Sequence, residues 1–397
     1  MSARRTTILG AALVAIGPVT MALYTPAMPQ LAVDFGTSDA LIKLTLTTYF
    51  AGFALAQLVC GPLSDAFGRK PVAIAFLVLY LASTVLATLA PDVTWMLIAR
   101  TLQGVGAAVG IAVSRAIVRD QYTGQHSARI MNTIGTMLAL GPAISPTLGG
   151  IILELFGWRE IFICMLIYGA ALMAAVIVFQ PETNAYRNVT NIHPERLAIN
   201  YMTLLRDRKF MAPSLLLGLC LGNIYAMATV LPFVMIHDVG LSPAQFGVGM
   251  MLQSLCFISG TLVTGRMLKY FDAEKLVPLG IVGMLAGAAL IAILLRLHEP
   301  SYLIIMGPVS FFAFSLAFIL PASFTSAMRD FPQIAGAASS MMGFMQFGGG
   351  ILGSLLIAYL GNPLFGISTI IPAMPLVGVI LYYLLGMKPK VARAAAE

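Results

Sequence analysis

The sequence predicts an all-α membrane protein of twelve transmembrane helices, arranged as two pseudo-symmetric six-helix bundles. The chain is 59% hydrophobic and only 10% charged, whereas about a quarter of the residues in soluble domains are charged. Its apolar runs exceed the roughly 20 residues that a helix needs to cross a bilayer, and they lack the alternating pattern of barrel strands. The longest polar segment leaves six such runs on either side.

The twelve predicted spans follow one another with short polar connections. They cover residues 7–33, 41–62, 71–90, 94–118, 129–156, 160–180, 211–236, 243–267, 276–297, 302–328, 333–360 and 364–387. We expect residues 1–180 and 211–397 to form the two bundles and residues 181–210 to link them. In the linker, Leu197, Tyr201, Leu204 and Leu205 recur at helical spacing, which indicates an amphipathic helix on the membrane surface.

The distribution of basic residues predicts the orientation. All but four of the 23 Lys and Arg residues fall at one face when the N-terminus is placed inside; the exceptions are Lys43, Arg100, Arg159 and Arg296. The positive-inside rule therefore predicts a bacterial inner-membrane protein with both termini in the cytoplasm. Because the basic residues lie in short loops and not on one folded surface, the formal charge of +7 does not indicate a nucleic-acid partner. The expected partners are the lipid bilayer and a small amphiphilic substrate, and we expect a monomer.

The stretch GPLSDAFGRKPV, residues 61–72, is predicted to form a tight polar loop between the second and third spans. Gly61 and Gly68 allow close backbone approach and positive φ, and Pro62 removes a helix donor. The charged residues of this stretch are Asp65, Arg69 and Lys70. Since three charges need water, the loop must lie at a membrane face.

The two halves show an internal repeat. Residues 58–72 align without gaps on residues 262–276, pairing Gly61 with Gly265 and Phe67 with Phe271. Six plus six spans with repeats are typical of transporters that rock around a central cavity.

Four stretches together resemble the major facilitator superfamily, specifically the twelve-span drug:proton antiporter branch and within it the Bcr/CflA drug-resistance family. They are the 61–72 stretch, in which Ala66 stands where many members carry Arg, LIARTLQGVGAAVG from Leu97, LGPAISPTLGGIILELFGWREIF from Leu140, and DFPQIAGAASS from Asp330 with the glycines 348–350. The resemblance implies the major facilitator fold and export of small amphiphilic drugs or metabolites of the chloramphenicol and bicyclomycin kind. It also implies alternating access driven by the proton gradient, with no bound cofactor.

The resemblance further implies a set of coupling and gating residues. Arg100 lies within the fourth span, where a charge is costly, so it must face protein or water. It is either a structural arginine bonded to neighbouring carbonyls or, by resemblance, a group that takes part in proton-linked movement or holds substrate. The full set is Asp34, Gly61, Asp65, Gly68, Arg69, Lys70, Arg100, Arg115, Arg119, Asp120, Gly141, Pro142, Pro146, Gly149, Glu154 and Gly150.

Two of these groups carry specific structural expectations. Asp65 is expected to accept hydrogen bonds from the start of the eleventh span near Pro332 and Gln333, where helix amides favour an anion, with Arg119 and Asp120 as ionic neighbours. The glycines and prolines of the fifth span give it a smooth, kinked face that suits a helix sliding against the eighth.

Candidate substrate-binding residues come from the spans that face the centre in this superfamily. Amides are favoured among them because a polar side chain facing lipid is costly. The set is Tyr24, Met28, Tyr49, Arg100, Asn132, Thr136, Asn223, Tyr225, Phe233, Gln253, Phe311, Phe314, Phe344 and Gln346.

One departure from the family pattern bears on coupling. Family members carry an Asp before the Tyr of the first span, where this chain has Ala22, and none of its 16 acidic residues lies in mid-membrane. Protons would therefore use Asp34 or Glu154 together with Arg100, or coupling follows another route or is absent. Without a carboxylate to neutralise a lipophilic cation, we expect neutral or anionic substrates.

Other functions stay open at this stage. A dedicated exporter of one metabolite, such as a siderophore, and an uptake permease share the predicted fold. An intramembrane enzyme is disfavoured, because the four histidines lie in loops or at span ends and no HExxH or GxSxG motif is present. The four cysteines lie in apolar segments without the spacing of metal ligands, so no metal site is predicted.

Overall fold

The computed structural model describes residues 2–122, 124–184 and 193–386, and in these ranges the chain folds into helices joined by short turns. In order, the α-helices are α1 Ala3–Tyr24, α2 Met28–Asp34, α3 Asp39–Phe67, α4 Arg69–Thr88, α5 Val93–Ala107, α6 Val109–Gln121, α7 Gly124–Leu155, α8 Trp158–Phe179, α9 Pro194–Arg206, α10 Arg208–Phe233, α11 Pro243–Met267, α12 Ala273–Leu297, α13 Tyr302–Arg329, α14 Ala335–Tyr359 and α15 Pro363–Gly386.

Four of the predicted spans are composite. A 3₁₀ turn, Pro332–Ile334, precedes α14 in the eleventh. A 3₁₀ turn, Thr25–Ala27, joins α1 to α2, and Ala108 separates α5 from α6. A π-helical segment, Val234–Asp238, extends α10. Eleven segments of the described chain are long and apolar enough to cross a membrane, and α7, with 32 residues, occupies the place of the fifth predicted span. The all-α, multi-pass architecture is therefore confirmed.

Side-chain caps determine where several spans begin. The Ser38 hydroxyl accepts from the Leu41 amide at 3.3 Å, and the Asp92 carboxylate accepts from the amides of Thr94 and Trp95 at 2.8 and 3.1 Å. Ser242 forms a capping box with Gln245 at the start of α11. These bonds satisfy amides that a helix start leaves without an intrahelical partner.

The helices form two bundles, each with its own apolar core. The first core joins α1, α3, α4, α5, α6 and α8 through side chains such as Leu13, Phe50 and Phe162. In the second half, Met227 and Met306 belong to one cluster and Leu216 and Phe312 to another. The bundles meet where α3 packs on α14 and α7 packs on α11. We call the end that carries Gly68, residues 181–184 and α9 the linker end, and the other end the opposite end.

The α7–α11 crossing depends on small residues. A Cβ atom at Gly150 would lie 2.3 Å from the Pro243 carbonyl oxygen, and one at Gly247 would lie 2.3 Å from the Pro146 carbonyl oxygen. These distances are below van der Waals contact, so the two backbones approach as closely as they do only because both positions are glycine.

The predicted loop over residues 61–72 is wrong in its extent. Helix α3 continues through Gly61 and Pro62 to Phe67, and α4 begins at Arg69, so that Gly68 alone makes the turn. Gly68 has a φ of 107°, which side chains rarely adopt, whereas Gly61 has helical geometry and open surroundings. Pro62 cannot donate to the carbonyl of Leu58 one turn earlier, but the helix tolerates this loss near its end.

We therefore predict opposite effects of alanine at the two glycines. Gly68→Ala forces a side chain into positive φ and should lower the free energy of unfolding by about 1–3 kcal/mol. Gly61→Ala is the matched control, because its Cβ would meet only the Ser340 hydroxyl at 3.7 Å, and helix propensity favours alanine by up to about 1 kcal/mol. Thermal unfolding of the purified variants in detergent measures both effects. Equal stability of the two variants would contradict the single-residue turn.

Candidate functional site

An aromatic cluster joins the two bundles midway along their interface. It consists of Phe50 and Phe53 of α3, Tyr225 of α10 and Phe347 of α14. The Tyr225 and Phe347 rings stack with centroids 4.7 Å apart and planes 3° apart. Phe53 lies 4.4 Å from Phe347, and Phe50 lies 5.5 Å from Tyr225. The rings of one bundle are therefore in direct contact with those of the other.

The rings of the cluster pack against one another and leave no space for a ligand between them in this conformation. Phe50 and Phe53 are buried, and Phe347 is only 6% exposed. Tyr49 adds a further ring, with its centroid 6.2 Å from Phe53. The centre of the interface is thus filled by side chains, and a molecule could bind there only if the rings or the bundles separated.

The cluster includes one residue that the sequence singled out and three that it did not. Tyr225 is a member and Tyr49 adjoins it, whereas Phe50, Phe53 and Phe347 were not among the candidates. The signal was present: Phe50 and Phe53 lie one position and one turn from Tyr49 on α3, and Phe347 follows the candidate Gln346. Periodicity alone could not assign them, because the spans are apolar on most faces.

Arg100 lies inside the first bundle and not at the interface. Its guanidinium is fully buried between the rings of Tyr24 and Tyr49, whose centroids lie 4.3 and 4.4 Å from Cζ. Nη1 donates to Gln103, whose amide nitrogen donates to Thr84 at 2.7 Å. Every side chain named here as a neighbour of Arg100 belongs to the first bundle, which favours the structural alternative, and its role in coupling or in holding substrate stays a prediction.

The rings around Arg100 are fixed by hydrogen bonds of their own. The hydroxyls of Tyr24 and Thr45 are 2.7 Å apart, and the Tyr49 hydroxyl donates to the carbonyl of Gly17 at 2.9 Å. These bonds hold both rings in place, so Tyr24 and Tyr49 support the guanidinium within the first bundle.

Several other candidates also lie away from the interface centre. Met28 belongs to the core of the first bundle. Asn223 is fully buried, and Cys220 and Met227, which share its helix face, pack within the second bundle. Phe311 is 43% exposed and lies beside Gly283 of the peripheral α12, so its ring faces outward. The assignment of these side chains to a substrate cavity stays a prediction, because burial in a bundle core and exposure to lipid both fit an apolar span.

The remaining candidates are nearer the contact between the bundles or lack a described side chain. Phe233 and Phe344 pack against the core of the first bundle although they belong to the second. Gln253 and Gln346 are buried on α11 and α14, and Phe314 packs on Phe318 within α13. The side chains of Asn132 and Thr136 lie outside the described part of the structure.

A network of charged residues closes the linker end of the first bundle. Arg69 pairs with Asp65 and, through Nε, with Asp120 at 2.9 Å, and it also donates to the Ser64 hydroxyl. Arg119 lies 3.9 Å from Asp65. All of these residues come from α3, α4 and α6, so the network fixes helices of one bundle to each other.

The predicted bond from Asp65 to the start of the eleventh span is therefore wrong. Among the described residues, the partners of its carboxylate are Arg69 and Arg119, and both belong to the first bundle. An acid does bind the start of a neighbouring helix at this end: at α4, Glu182 accepts from the amides of Arg69 and Lys70 at 3.0 and 3.2 Å. Sequence reasoning missed Glu182, because it lies more than a hundred residues from the amides that it caps.

Different residues connect the bundles at the linker end. Arg115 of α6 donates to the Ser339 hydroxyl of α14 at 2.7 Å. Tyr201 of α9 donates to the carbonyl of Leu58, the group that Pro62 leaves unpaired, and also hydrogen-bonds the side chain of Ser340. Burial raises the pKa of Tyr201 to about 12, so this hydroxyl keeps its proton at neutral pH. A helix, α9, is present where the sequence predicts one, and it touches both halves. Its place on the membrane surface stays a prediction.

The opposite end is closed by contacts between α7 and α11 and between α3 and α10. Glu154 accepts from the Ala244 amide at 2.9 Å, and the Thr147 hydroxyl donates to the Gly247 carbonyl at 3.0 Å. Lys43 lies 4.5 Å from the centroid of the Phe233 ring. The two bundles thus contact each other at both ends of the interface.

Asp34 lies at the opposite end, beside a groove of about 450 Å³ that Glu154 and Trp158 also line. Its carboxylate accepts from Trp158 Nε1 at 2.8 Å and from the Gln30 amide at 2.7 Å. The two acids proposed as proton carriers therefore border one groove, and neither is among the contacts of Arg100.

The glycine and proline residues of the fifth span pack against two neighbouring helices, α1 and α11. A Cβ atom at Gly149 would lie 2.2 Å from the Leu23 carbonyl of α1, and one at Gly141 would lie 3.1 Å from Val19, also of α1. Gly150 and Pro146 instead face α11, and Pro142 lies within α7. The predicted contact between the fifth and eighth spans is therefore present.

Comparisons with known proteins agree with this architecture. The family model of the Major Facilitator Superfamily matches residues 8–354. The chain is 26% identical over 370 residues to the bicyclomycin resistance protein homolog of Haemophilus influenzae, covering 93% of this chain and 92% of that protein. It is 28% identical over 336 residues to the chloramphenicol resistance protein of Pseudomonas aeruginosa, covering 84% and 78%.

A solved structure shows the same fold. The D-xylose–proton symporter superposes with a TM-score of 0.74 over 95% of this chain and 97% of that one, at 15% sequence identity. Similarity at this level of identity reports the fold alone. The family match and the two-bundle architecture lead to one conclusion: this chain belongs to the Major Facilitator Superfamily, and its relatives there are of the Bcr/CflA drug-resistance type.

Proposed function

We propose that this chain is a bacterial inner-membrane exporter that moves small, neutral or anionic amphiphilic compounds outward by alternating access. The observation that carries the proposal is the aromatic cluster, whose four rings come from both bundles and are all uncharged. Ring faces bind aromatic and amphiphilic molecules by stacking without requiring a particular charge. A molecule inserted between Tyr225 and Phe53 would contact both bundles, so its binding would be coupled to their relative movement.

The contacts between the bundles at both ends support an alternating cycle. Arg115 and Tyr201 hold the bundles together at the linker end, and Glu154 and Lys43 contact the second bundle at the opposite end. Release of substrate to either side requires one set of contacts to break while the other persists. Each bundle would then move largely as a rigid body.

The direction of transport rests on two arguments. The relatives named for resistance to bicyclomycin and chloramphenicol support export of compounds of that kind. Basic residues such as Arg69, Lys70, Arg208 and Lys209 lie at the linker end, which the positive-inside rule assigns to the cytoplasm. Substrate would accordingly enter from the linker end and leave at the opposite end.

The aromatic cluster should be needed for transport. Phe347→Ala removes the ring that contacts Tyr225, Phe53 and Phe50, and an aromatic contact of up to about 1.5 kcal/mol corresponds to roughly tenfold in rate or affinity. We expect the initial rate of chloramphenicol counterflow in proteoliposomes to fall about tenfold.

Phe311→Ala is the matched control for that experiment, because Phe311 is an aromatic residue on the outer face of the second bundle. Its rate should stay within about twofold of wild type, as for a surface substitution. Equal rates for the two variants at equal amounts of folded protein would remove the cluster from the substrate path.

The transporter should prefer a neutral substrate to a permanent cation. A permanent cation such as tetraphenylphosphonium would meet uncharged rings and no carboxylate, and cation–π attraction offsets only part of its desolvation. We expect counterflow of chloramphenicol to exceed that of tetraphenylphosphonium by at least about tenfold at equal concentration, since one unsatisfied charge costs more than 1.4 kcal/mol. A preference for the cation would contradict the proposed substrate class, and activity toward a single compound of a broad panel would indicate a dedicated exporter.

Proton exchange should depend on Asp34 and Glu154, the two acids that line the groove at the opposite end. If protons drive export, an imposed pH gradient will stimulate chloramphenicol transport by wild type, and the double variant Asp34→Asn, Glu154→Gln will lose that stimulation. Glu299→Gln, which removes an exposed acid, is the control and should keep it. Wild-type transport that is indifferent to the gradient would exclude proton exchange, whereas stimulation that survives in the double variant would exclude these two carriers.

A further inference from the structure

Arg100 has a charge and two donors that the protein leaves without partners. Its side chain is fully buried, and Nε and Nη2 form no hydrogen bond in the structure. Among the described residues no carboxylate pairs with it; its electrostatic neighbours are the hydroxyl groups of Tyr24, Tyr49 and Tyr80. A buried ion without a counter-charge is unfavourable, so such a site calls for a negative partner.

The donors of the guanidinium that lack a hydrogen-bond partner lie on one of its edges. The Tyr24 and Tyr49 rings cover its two faces, and Gln103 occupies Nη1. The remaining Nε–H and the adjacent Nη2–H project side by side in the guanidinium plane, which is the arrangement that binds one anion with two donors.

The neighbouring oxygen atoms are already engaged. The Tyr24 hydroxyl is paired with Thr45, and the Tyr49 hydroxyl donates to the Gly17 carbonyl. Thr84 accepts from Gln103 and donates to the Tyr80 carbonyl at 2.6 Å. None of these oxygens accepts a hydrogen bond from Nε or Nη2 in the structure.

We propose that the Nε–Nη2 edge of Arg100 is a binding site for a small monovalent anion, such as chloride, that serves as the counter-ion of this guanidinium. A carboxylate of a transported substrate has the same chemistry. The inorganic ion is favoured because Arg100 is fully buried and its side-chain neighbours Tyr24, Tyr49 and Gln103 all belong to the first bundle, with the Tyr49 ring between the guanidinium and the rings that join the two halves. The proposal goes beyond the exporter function and does not depend on it, since the site exists whether or not the protein exports drugs.

The test measures binding through stability. An anion that binds only the folded state raises the melting temperature as its concentration exceeds its Kd. In detergent at constant ionic strength, replacing gluconate by chloride should raise the melting temperature of wild type by about 3 °C or more. Arg100→Gln should show no such rise. Arg159→Gln is the matched control, because Arg159 also stacks on an aromatic ring, that of Trp158, but is exposed, and this variant should keep the full response.

A second variant keeps the test decisive if Arg100→Gln does not fold. Gln103→Glu places a fixed carboxylate where the amide oxygen already contacts Arg100, so it should supply the counter-charge and abolish the chloride response in a folded protein. Crystals grown in bromide should show an anomalous peak within hydrogen-bond distance of Nε and Nη2. The proposal is overturned if wild type gives no chloride response, if Gln103→Glu keeps the response in full, or if only a carboxylate substrate stabilises the protein.

Discussion

The requirement that a charge inside a membrane protein have partners is the constraint on which this structure depends. Arg69, at the linker end, has two carboxylates and a hydroxyl around it. Arg100, in mid-span, has aromatic faces and one amide oxygen. The first arrangement fixes the ends of three helices, and the second places a positive charge in the core that the surrounding tyrosines shield only in part.

The contacts within a bundle differ in kind from the contacts between the two bundles. Within the first bundle, buried hydroxyls connect distant spans: Thr20 pairs with Tyr80, and Tyr168 donates to the Ala12 carbonyl, both at 2.7 Å. Between the bundles, by contrast, the central contact consists of aromatic rings, with hydrogen bonds toward the two ends. Aromatic and van der Waals contacts separate without leaving polar groups unpaired, so this distribution favours two internally rigid units with a separable interface.

Hydropathy predicted the spans well because lipid imposes a length and a composition on every crossing helix. It could not predict which face of a span is turned inward, because both lipid and core accept apolar side chains. Phe311 and Phe347 are both aromatic residues in central spans of the second half, yet one faces outward and the other joins the bundles. Arg100 was correctly expected to be shielded from lipid, but the choice between bundle core and interface depends on helix rotation. The partners of Asp65 likewise depend on which helix ends come together.

Helix α3 keeps its regular course past Pro62, and this has a consequence for the linker. The carbonyl of Leu58 can receive no bond from its own helix, and a phenol from outside the bundle supplies the donor. Any widening of the linker end therefore has one of two results. Either α9 moves with the first bundle and the hydrogen bond between Tyr201 and Ser340 breaks, or α9 stays with the second bundle and the Leu58 carbonyl loses its hydrogen bond from Tyr201. Either alternative costs about 1–3 kcal/mol, which corresponds to roughly five- to a hundredfold in the ratio of closed to open molecules. The segment between the halves thus acts as a thermodynamic bias on the conformational equilibrium, in addition to joining two domains.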